Sequence, residues 1–411
     1  MKLLLLTPYF PPEVGSASHL YYELSRALSS RGHQVTVVTG LARYNVVNGH
    51  QRPRYRPVTL ERCQGFKVCR VLNLDIPWNR PLLRGVDQII AATCAGLTGL
   101  GLPSFDLALV YSPPLPLALA ALALCRLRGR PLVANVQDLF PQSAIDLGLM
   151  HHPLIIRIFK AMESLLYRRA DLIMAHSDGN RKYILAHGGH RRPIKTLPNW
   201  VDTDAIRPAS RFNGFRKQWG LNDRFIVSFA GVMGYSQDLA TILAAAARLQ
   251  ANKDILFLLV GDGVEKPHLV AHARRHHLDN VLFLPMQSRE TYPEILAASD
   301  LCLTTLKAAV HTPVVPYKIL NIMAAGRPLL ACLPAAGDAA GLVRRSRCGF
   351  HLEPGDPAAL AQAILQLYED PDLAARLGNN GRAYAEAHFS LEASLTRLER
   401  LLGETLAHYH P

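Results

Sequence analysis

The residues of this chain best suited to chemistry are glycines placed between apolar runs and amphipathic segments, and one lysine near a helix start. The stretch FPPEVGSASH, Phe10 to His19, follows the apolar run KLLLLT and precedes ASHLYYELSRALSSRGHQ. At that junction the unpaired N–H groups of a helix and the positive end of its dipole favour an anion. A phosphate beside Gly15 and Ser16 is the first reading, and a plain turn at Gly15 is the second. Two more glycine loops, Gly231-Val232-Met233-Gly234 and Gly261-Asp262-Gly263, follow the apolar runs FIVSFA and ILFLLV. In VVPYKILNIMAAGRPLLAC, Pro316 suits a first helical turn, Gly326 suits the C-terminal cap and Pro328 blocks continuation, which bounds a helix from about 316 to 325. Lys318 falls in its first turn, where a cation opposes the dipole, so it reads either as the partner of an anion or as a solvated lysine.

Other patterns point away from competing chemistries. A dinucleotide fingerprint needs three glycines in G-x-G-x-x-G and an acid after the second strand. This chain has one glycine there, and the run VTVVT ends in Thr39-Gly40. Asp202-Thr203-Asp204 has the look of a metal-binding D-x-D but lies in a proline-bounded connection, not after a strand. His268, His272 and His276 recur at i, i+4, i+8 without a carboxylate or cysteine on that face and with Arg274 and Arg275 between them, which favours a solvated face over metal ligation.

The elements that must position these residues alternate regularly. KLLLL reads as a buried strand. The helix after it places Leu20, Leu24, Ala27 and Leu28 on one face, with Glu23, Arg26, Ser29 and Ser30 opposite, and Gly32 ends it. Strand, loop, helix, strand implies a parallel sheet with ligands at the carboxyl ends of its strands. DLALVYS, PLVANVQD and DLIMAHS continue the pattern, LPNWVDTDAIRP interrupts it as a linker, and FIVSFAGVMG, ILFLLVGDG, VLFLP and DLCLTT restart it. The fold class is therefore α/β, two doubly wound Rossmann-like domains in tandem with strand ends facing across a cleft.

Composition narrows the class further. A chain of 411 residues with 49% hydrophobic and 19% charged residues suits two globular domains. The longest apolar run, LALAALALC, is far short of the roughly 20 residues of a membrane span, and KLLLL is too short for a secretory signal, so a cytoplasmic protein is expected. Seven cysteines without a C-x-x-C pair argue for reduced thiols and against zinc. The net charge of +13 is uneven: residues 1–205 hold 24 Lys and Arg against 13 Asp and Glu, whereas 206–411 hold 21 against 19. The excess is densest between Arg43 and Arg84, where Arg52, Arg54, Arg56, Arg62, Lys67, Arg70 and Arg80 also lie. A solvated face, an anionic membrane surface and nucleic acid compete for it, and nucleic acid comes last because no recognition motif accompanies the charge.

Taken in order, PPEVGSASHLYYELSRALSSRGHQVTVVTG, VQDLFPQS, LPNWVD, FAGVMG, VGDG and VPYKILNIMAAGRP resemble a family 4 glycosyltransferase of GT-B architecture, and within it the bacterial enzymes of colanic acid, O-antigen and capsule assembly. The resemblance implies a retaining transferase that moves a sugar from a nucleotide sugar to a polyprenyl-diphosphate-linked saccharide or similar acceptor. No cofactor or metal is expected, nor any nucleic-acid partner, and the basic first domain is expected to lie peripherally on the cell membrane. Donor binding is expected at Gly15, Ser16, Gly231, Gly234, Met286, Lys318 and Asn321, with Asp138 and Lys318 as catalytic residues. The implied domains are 1–198 with a returning helix 390–411, and a nucleotide-sugar domain 199–389. The chain departs from the family at several points. Gln137 stands where relatives often carry His, Tyr235-Ser236-Gln237-Asp238 where many carry a base, and the hallmark Glu, seven residues, Glu is replaced by Pro313 and Asn321. The missing carboxylates keep open a non-catalytic partner of a polysaccharide-assembly complex, and a sugar-nucleotide epimerase of the same fold is the other alternative.

Overall fold

The computed structural model describes residues 1–42, 46, 58–74, 76, 81–189 and 192–409. They form two compact units, Met1–Asn199 with Glu392–Pro411, and Trp200–Leu391.

The sheet of the first unit contains β1 (Lys2–Leu6), β2 (Gln34–Gly40), β3 (Val58–Cys63), β4 (Phe66–Val71), β5 (Leu107–Ser112), β6 (Leu132–Val136), β7 (Leu172–Ala175) and β8 (Ile194–Thr196). Their order is β3-β4-β2-β1-β5-β6-β7-β8, parallel throughout except for the antiparallel pair β3–β4. Every residue of β6 and β7 is buried, which is why β7 reads as an unbroken apolar run and β6 as one interrupted only by Asn135, and neither as an alternation. β1 pairs with β2 on one side and β5 on the other, so the winding reverses there and opens a crevice beyond their carboxyl ends. The helices Pro81–Gly101, Leu115–Arg128 and Pro153–Arg169 pack side by side over this sheet.

The helix Ser16–Ser30 buries Leu20, Leu24 and Leu28, as its periodicity predicts. It also buries Glu23, which the same periodicity puts on the solvent side. The helix Leu391–Ala407 covers part of the first unit with Leu395, Leu398, Leu401 and Leu402, all buried. Arg31 pairs there with Glu392 and, at 2.5 Å, with Glu399, and the His33 ring meets Glu399 at 2.8 Å.

The sheet of the second unit contains β9 (Phe225–Ala230), β10 (Ile255–Val260), β11 (Val281–Leu284), β12 (Leu301–Thr305), β13 (Leu329–Cys332) and β14 (Gly349–Leu352). It is parallel, in the order β11-β10-β9-β12-β13-β14, and its reversal point lies between β9 and β12.

Of the basic segment, Arg43, Arg52, Arg54, Arg56, Trp78 and Arg80 lie outside the described residues, as does the side chain of Leu82. Arg62 and Lys67 are exposed. Arg70 is not part of a surface: it is buried, bonds Glu61 at 2.8 Å through Nε and donates to the Pro11 carbonyl. Its charge therefore anchors the loop ahead of Gly15.

Candidate active site

The second unit builds its site at the carboxyl ends of β9, β10 and β12. The loop after β9 is held by backbone: Gly231 N–H bonds the Val260 carbonyl and Met233 N–H bonds the Asp262 carbonyl, both within 2.9 Å. Gly234 N–H is taken by Gln237 Oε1 at 3.0 Å. These three amides are thus spent inside the unit. The two glycine loops lie backbone against backbone, since a Cβ on Gly261 would fall 1.9 Å from the Gly231 carbonyl oxygen. Gly231 has φ +142°, and a Cβ on it would come within 3.3 Å of Lys318 Nζ. Gly231, where the resemblance implies donor binding, thus lies directly beside the Lys318 ammonium.

Lys318 lies in the first turn of the helix Tyr317–Ala324, entered from Pro316. Its Nζ lies over the ring of Phe229, 3.6 Å from the centroid. The ammonium is buried and has no hydrogen-bond partner among the described residues. Desolvation pushes its pKa down to about 7. One turn on, Asn321 is buried, hydrogen-bonded to the Tyr292 hydroxyl, and its Oδ1 has no partner among the described residues. A buried acceptor without a donor and a buried ammonium without an acceptor sit three residues apart on one helix, where side chains share a face. Met286, two residues past β11, is half-buried at the same edge of the sheet.

In the first unit the loop after β1 leads into the helix Ser16–Ser30 through Gly15, whose φ of 163° is ordinary extended backbone. Neither conformation nor packing demands glycine here, because a Cβ would meet nothing within 4 Å. Ser16 is exposed and makes no capping bond, while Ser18 ties the helix to the Glu13 carbonyl at 2.6 Å. Asp138 follows β6. Solvent reaches it, yet the surrounding protein raises its carboxyl above the ordinary value by desolvation. It lies within electrostatic reach of Tyr111, whose hydroxyl is pushed well up, chiefly by burial and then by that carboxylate.

Sequence reasoning missed the polar chain beside Asp138. Asn135 donates to the Tyr21 hydroxyl at 3.5 Å and accepts from Gln137 at 2.9 Å. Gln137 and Asn199 exchange amide bonds at 2.8 and 2.9 Å. Gln137, at the place where the resembled family often carries His, thus holds Asn199, the end of the unit's first segment. Of the two decoys, Asp202 Oδ1 accepts the backbone N–H groups of Asp204 and Ala205, closing a turn. His268, His272 and His276 are exposed, two of them with rings 4.4 Å apart.

Residues 15–200 match the family model described as glycosyl transferase 4-like domain, and residues 212–384 match glycosyl transferases group 1. The chain belongs to the family 4 glycosyltransferases. Among its relatives is Escherichia coli (strain K12) WcaI, named for colanic acid biosynthesis, 24% identical over 79% of this chain and 82% of that protein. Pseudomonas aeruginosa WbjE, named as a glycosyltransferase, is 26% identical over 78% of this chain and 80% of its own length. The structure of Anabaena HepE in complex with UDP-glucose superposes with a TM-score of 0.74 at 21% identity, covering 98% of this chain and 100% of that one. The two sheets of this glycosyltransferase are those of the GT-B fold. Its donors are nucleotide sugars. The helix that carries its buried lysine also offers an amide, Asn321.

Proposed function

We propose that this glycosyltransferase retains the anomeric configuration and moves a hexosyl or deoxyhexosyl group from a nucleotide sugar to a polyprenyl-diphosphate-linked saccharide in cell-surface polysaccharide assembly, working without a metal, in the cytoplasm at the membrane. The observation that carries the donor side is the buried ammonium of Lys318 next to Gly231, without a hydrogen-bond acceptor among the described residues. A diphosphate oxygen there gains a charge-assisted bond and takes up the negative charge that grows as the glycosidic bond breaks. Asn321 Oδ1 accepts a hydroxyl of the nucleotide ribose, and Met286 lies against the donor from β11. On the acceptor side, the open space at Gly15 and the exposed Ser16 leave room for a phosphate or sugar at the helix N-terminus. The raised carboxyl of Asp138 suits it to orient the attacking hydroxyl. The proton of that hydroxyl passes to the leaving phosphate oxygen, so no side-chain nucleophile is required.

The name of WcaI, which puts that protein in colanic acid biosynthesis, supports the cell-surface polysaccharide setting. Support for metal independence is the cation already placed at the site, and activity unchanged by a chelator checks it. A thermal-shift screen over UDP-, GDP-, ADP- and dTDP-sugars names the donor, and transfer to a detergent-solubilised lipid-linked acceptor tests the reaction. The replacement of both hallmark carboxylates by Pro313 and Asn321 favours one competing reading, a non-catalytic GT-B partner. Donor-induced stabilisation without transfer to any acceptor would establish that reading instead, and conversion of the donor alone would mark an epimerase.

A further inference from the structure

The outer surface of the three-helix layer on the first unit is the wrong way round for a face in water. The solvent side of Pro81–Gly101 carries Leu83, Val86, Ile89, Leu97 and Leu100, between 39% and 65% exposed, at spacings of three to eight residues that keep them on one stripe. Thr93 interrupts them, and its hydroxyl is turned back onto the Ile89 carbonyl at 2.8 Å. The charged residues of this helix are Arg84 and Asp87, and Asp87 is buried, accepting the Leu74 N–H. On Pro153–Arg169, Leu154, Ile158 and Leu165 are 59%, 50% and 39% exposed, interleaved with exposed Arg157, Lys160, Arg168 and Arg169. The one acid of that helix, Glu163, is buried. Between them, Leu115–Arg128 has no acid and ends in Arg126, Leu127 and Arg128, with Leu127 73% exposed.

We infer that this layer docks the protein on an anionic lipid bilayer, its apolar stripes entering the headgroup boundary while the arginines and lysine meet lipid phosphates. For its purpose the inference rests on the proposed lipid-linked acceptor; the physical case is independent of it. Exposed leucines and isoleucines interleaved with Lys and Arg, without one exposed acid on the three helices among the described residues, match the composition of an interfacial helix. The surface of a bilayer rich in anionic lipid supplies both the apolar depth and the opposite charge. A second copy of the chain supplies only the first, because a two-fold contact through this face would set Arg157, Lys160, Arg168 and Arg169 against their own equivalents. No described helix is long and apolar enough to cross a membrane, so the mode is lying on it. In a parallel sheet with crossover helices, helix starts lie at the carboxyl edge, so Leu83 and Leu154 approach the bilayer at the edge of the unit that holds Gly15 and Asp138.

The test is vesicle binding measured without donor or acceptor, beside transfer measured in detergent without vesicles. We expect at least tenfold stronger partitioning onto phosphatidylglycerol-containing vesicles than onto phosphatidylcholine, falling several-fold in high salt. A Val86→Gln, Ile89→Gln, Leu97→Gln variant should lose at least tenfold on both kinds of vesicle. An Arg157→Ser, Lys160→Ser, Arg168→Ser variant should lose the anionic preference alone. For the unaltered protein, hydrogen exchange on vesicles should slow in residues 83–101 and 153–169. Absent or lipid-independent binding, exchange protection elsewhere, or a solution dimer abolished by the glutamine variant would overturn the inference. Binding without transfer in detergent would leave the docking face standing and sink the proposed reaction, whereas transfer without binding would do the reverse.

Discussion

Lys318 is held in a state that costs stability, and in the proposed reaction it serves donor binding. Its pKa of about 7 lies below the free value of 10.5, so between those limits the folded chain holds fewer protons than the unfolded one. Stability contributed through this group therefore rises with pH from 7 to 10.5 and is poorest below 7, where the buried ammonium must carry its charge. Lys318→Met should accordingly raise the thermal midpoint at neutral pH while lowering donor turnover about 10- to 100-fold, the worth of a charge-assisted bond of roughly 1.5–3 kcal/mol. A variant that lost both stability and turnover would make the lysine a structural residue. Because a diphosphate stabilises the ammonium, donor binding at pH 8 should draw a proton from solution, seen as a dependence of calorimetric heat on the buffer's ionisation enthalpy. Asn321 is argued in the same terms. Asn321→Glu offers a stronger acceptor but repels the diphosphate, so donor affinity should stay within about tenfold of the original. Asn321→Leu should lose more, because a ribose hydroxyl would be buried unpaired. Equal donor affinity for the leucine variant, read by titration calorimetry, would reduce Asn321 to a packing amide.

Helix Pro153–Arg169 illustrates what tertiary surroundings do to one residue of an element. Burial raises Glu163 to about 7, against 4.5 free, even though it accepts the Tyr167 hydroxyl at 3.0 Å. The folded state holds the extra proton between those pH values, so this group's contribution is fully present below pH 4.5 and is lost as pH rises through 7. Glu163→Gln should flatten that part of the stability profile and raise stability at pH 8 by up to about 3 kcal/mol, taking about 1.36 kcal/mol per pKa unit. Denaturant titrations at pH 5 and pH 8 check it. Nothing in the sequence marks Glu163 as buried, and the same holds for Glu23 and Arg70. Periodicity shows which face of a helix is apolar but not whether another element also covers its polar flank. Elements whose cause is local were legible. β10, ILFLLV, reads as buried because every residue is apolar, and the helix Tyr317–Ala324 is delimited by Pro316 and Gly326. The hairpin β3–β4 was not, since its turn at Gln64-Gly65 lies inside a segment that reads first as a run of charge. Within the candidate site, the glycine loops and Lys318 were visible as motif and helix position. The chain Tyr21, Asn135, Gln137, Asn199 was not, because Tyr21 and Asn199 are far in sequence from the Asn135–Gln137 pair at the end of β6 and reach it only when β6 is set into the sheet.

At the scale of the whole molecule the first unit is discontinuous, made of Met1–Asn199 and Glu392–Pro411, while the second is continuous in sequence. The C-terminal helix brings four buried leucines, Leu395, Leu398, Leu401 and Leu402, to the first unit. Full burial of a leucine is worth about 1.5–3 kcal/mol, an upper bound here since the unfolded chain already hides part of that surface. Even half of the sum is comparable with the 5–15 kcal/mol that holds a typical domain together. The ion pairs of Arg31 add little by themselves, because exposed pairs contribute about 0–1 kcal/mol. A chain ending at Leu391 should therefore lose the thermal transition of the first unit or show it far lower. The second unit, whose closing bonds of Leu391 to Val201 and Val201 to Phe389 survive the cut, should keep its own transition. It should also keep its shift on adding nucleotide sugar, since Lys318 and Asn321 lie inside it. Arg31→Ala in the full chain should move the first transition by only a few degrees. Scanning calorimetry with and without donor separates these outcomes. Two unshifted transitions in the shortened chain would show that the helix is an accessory to the first unit, and loss of both would show that the two units unfold as one.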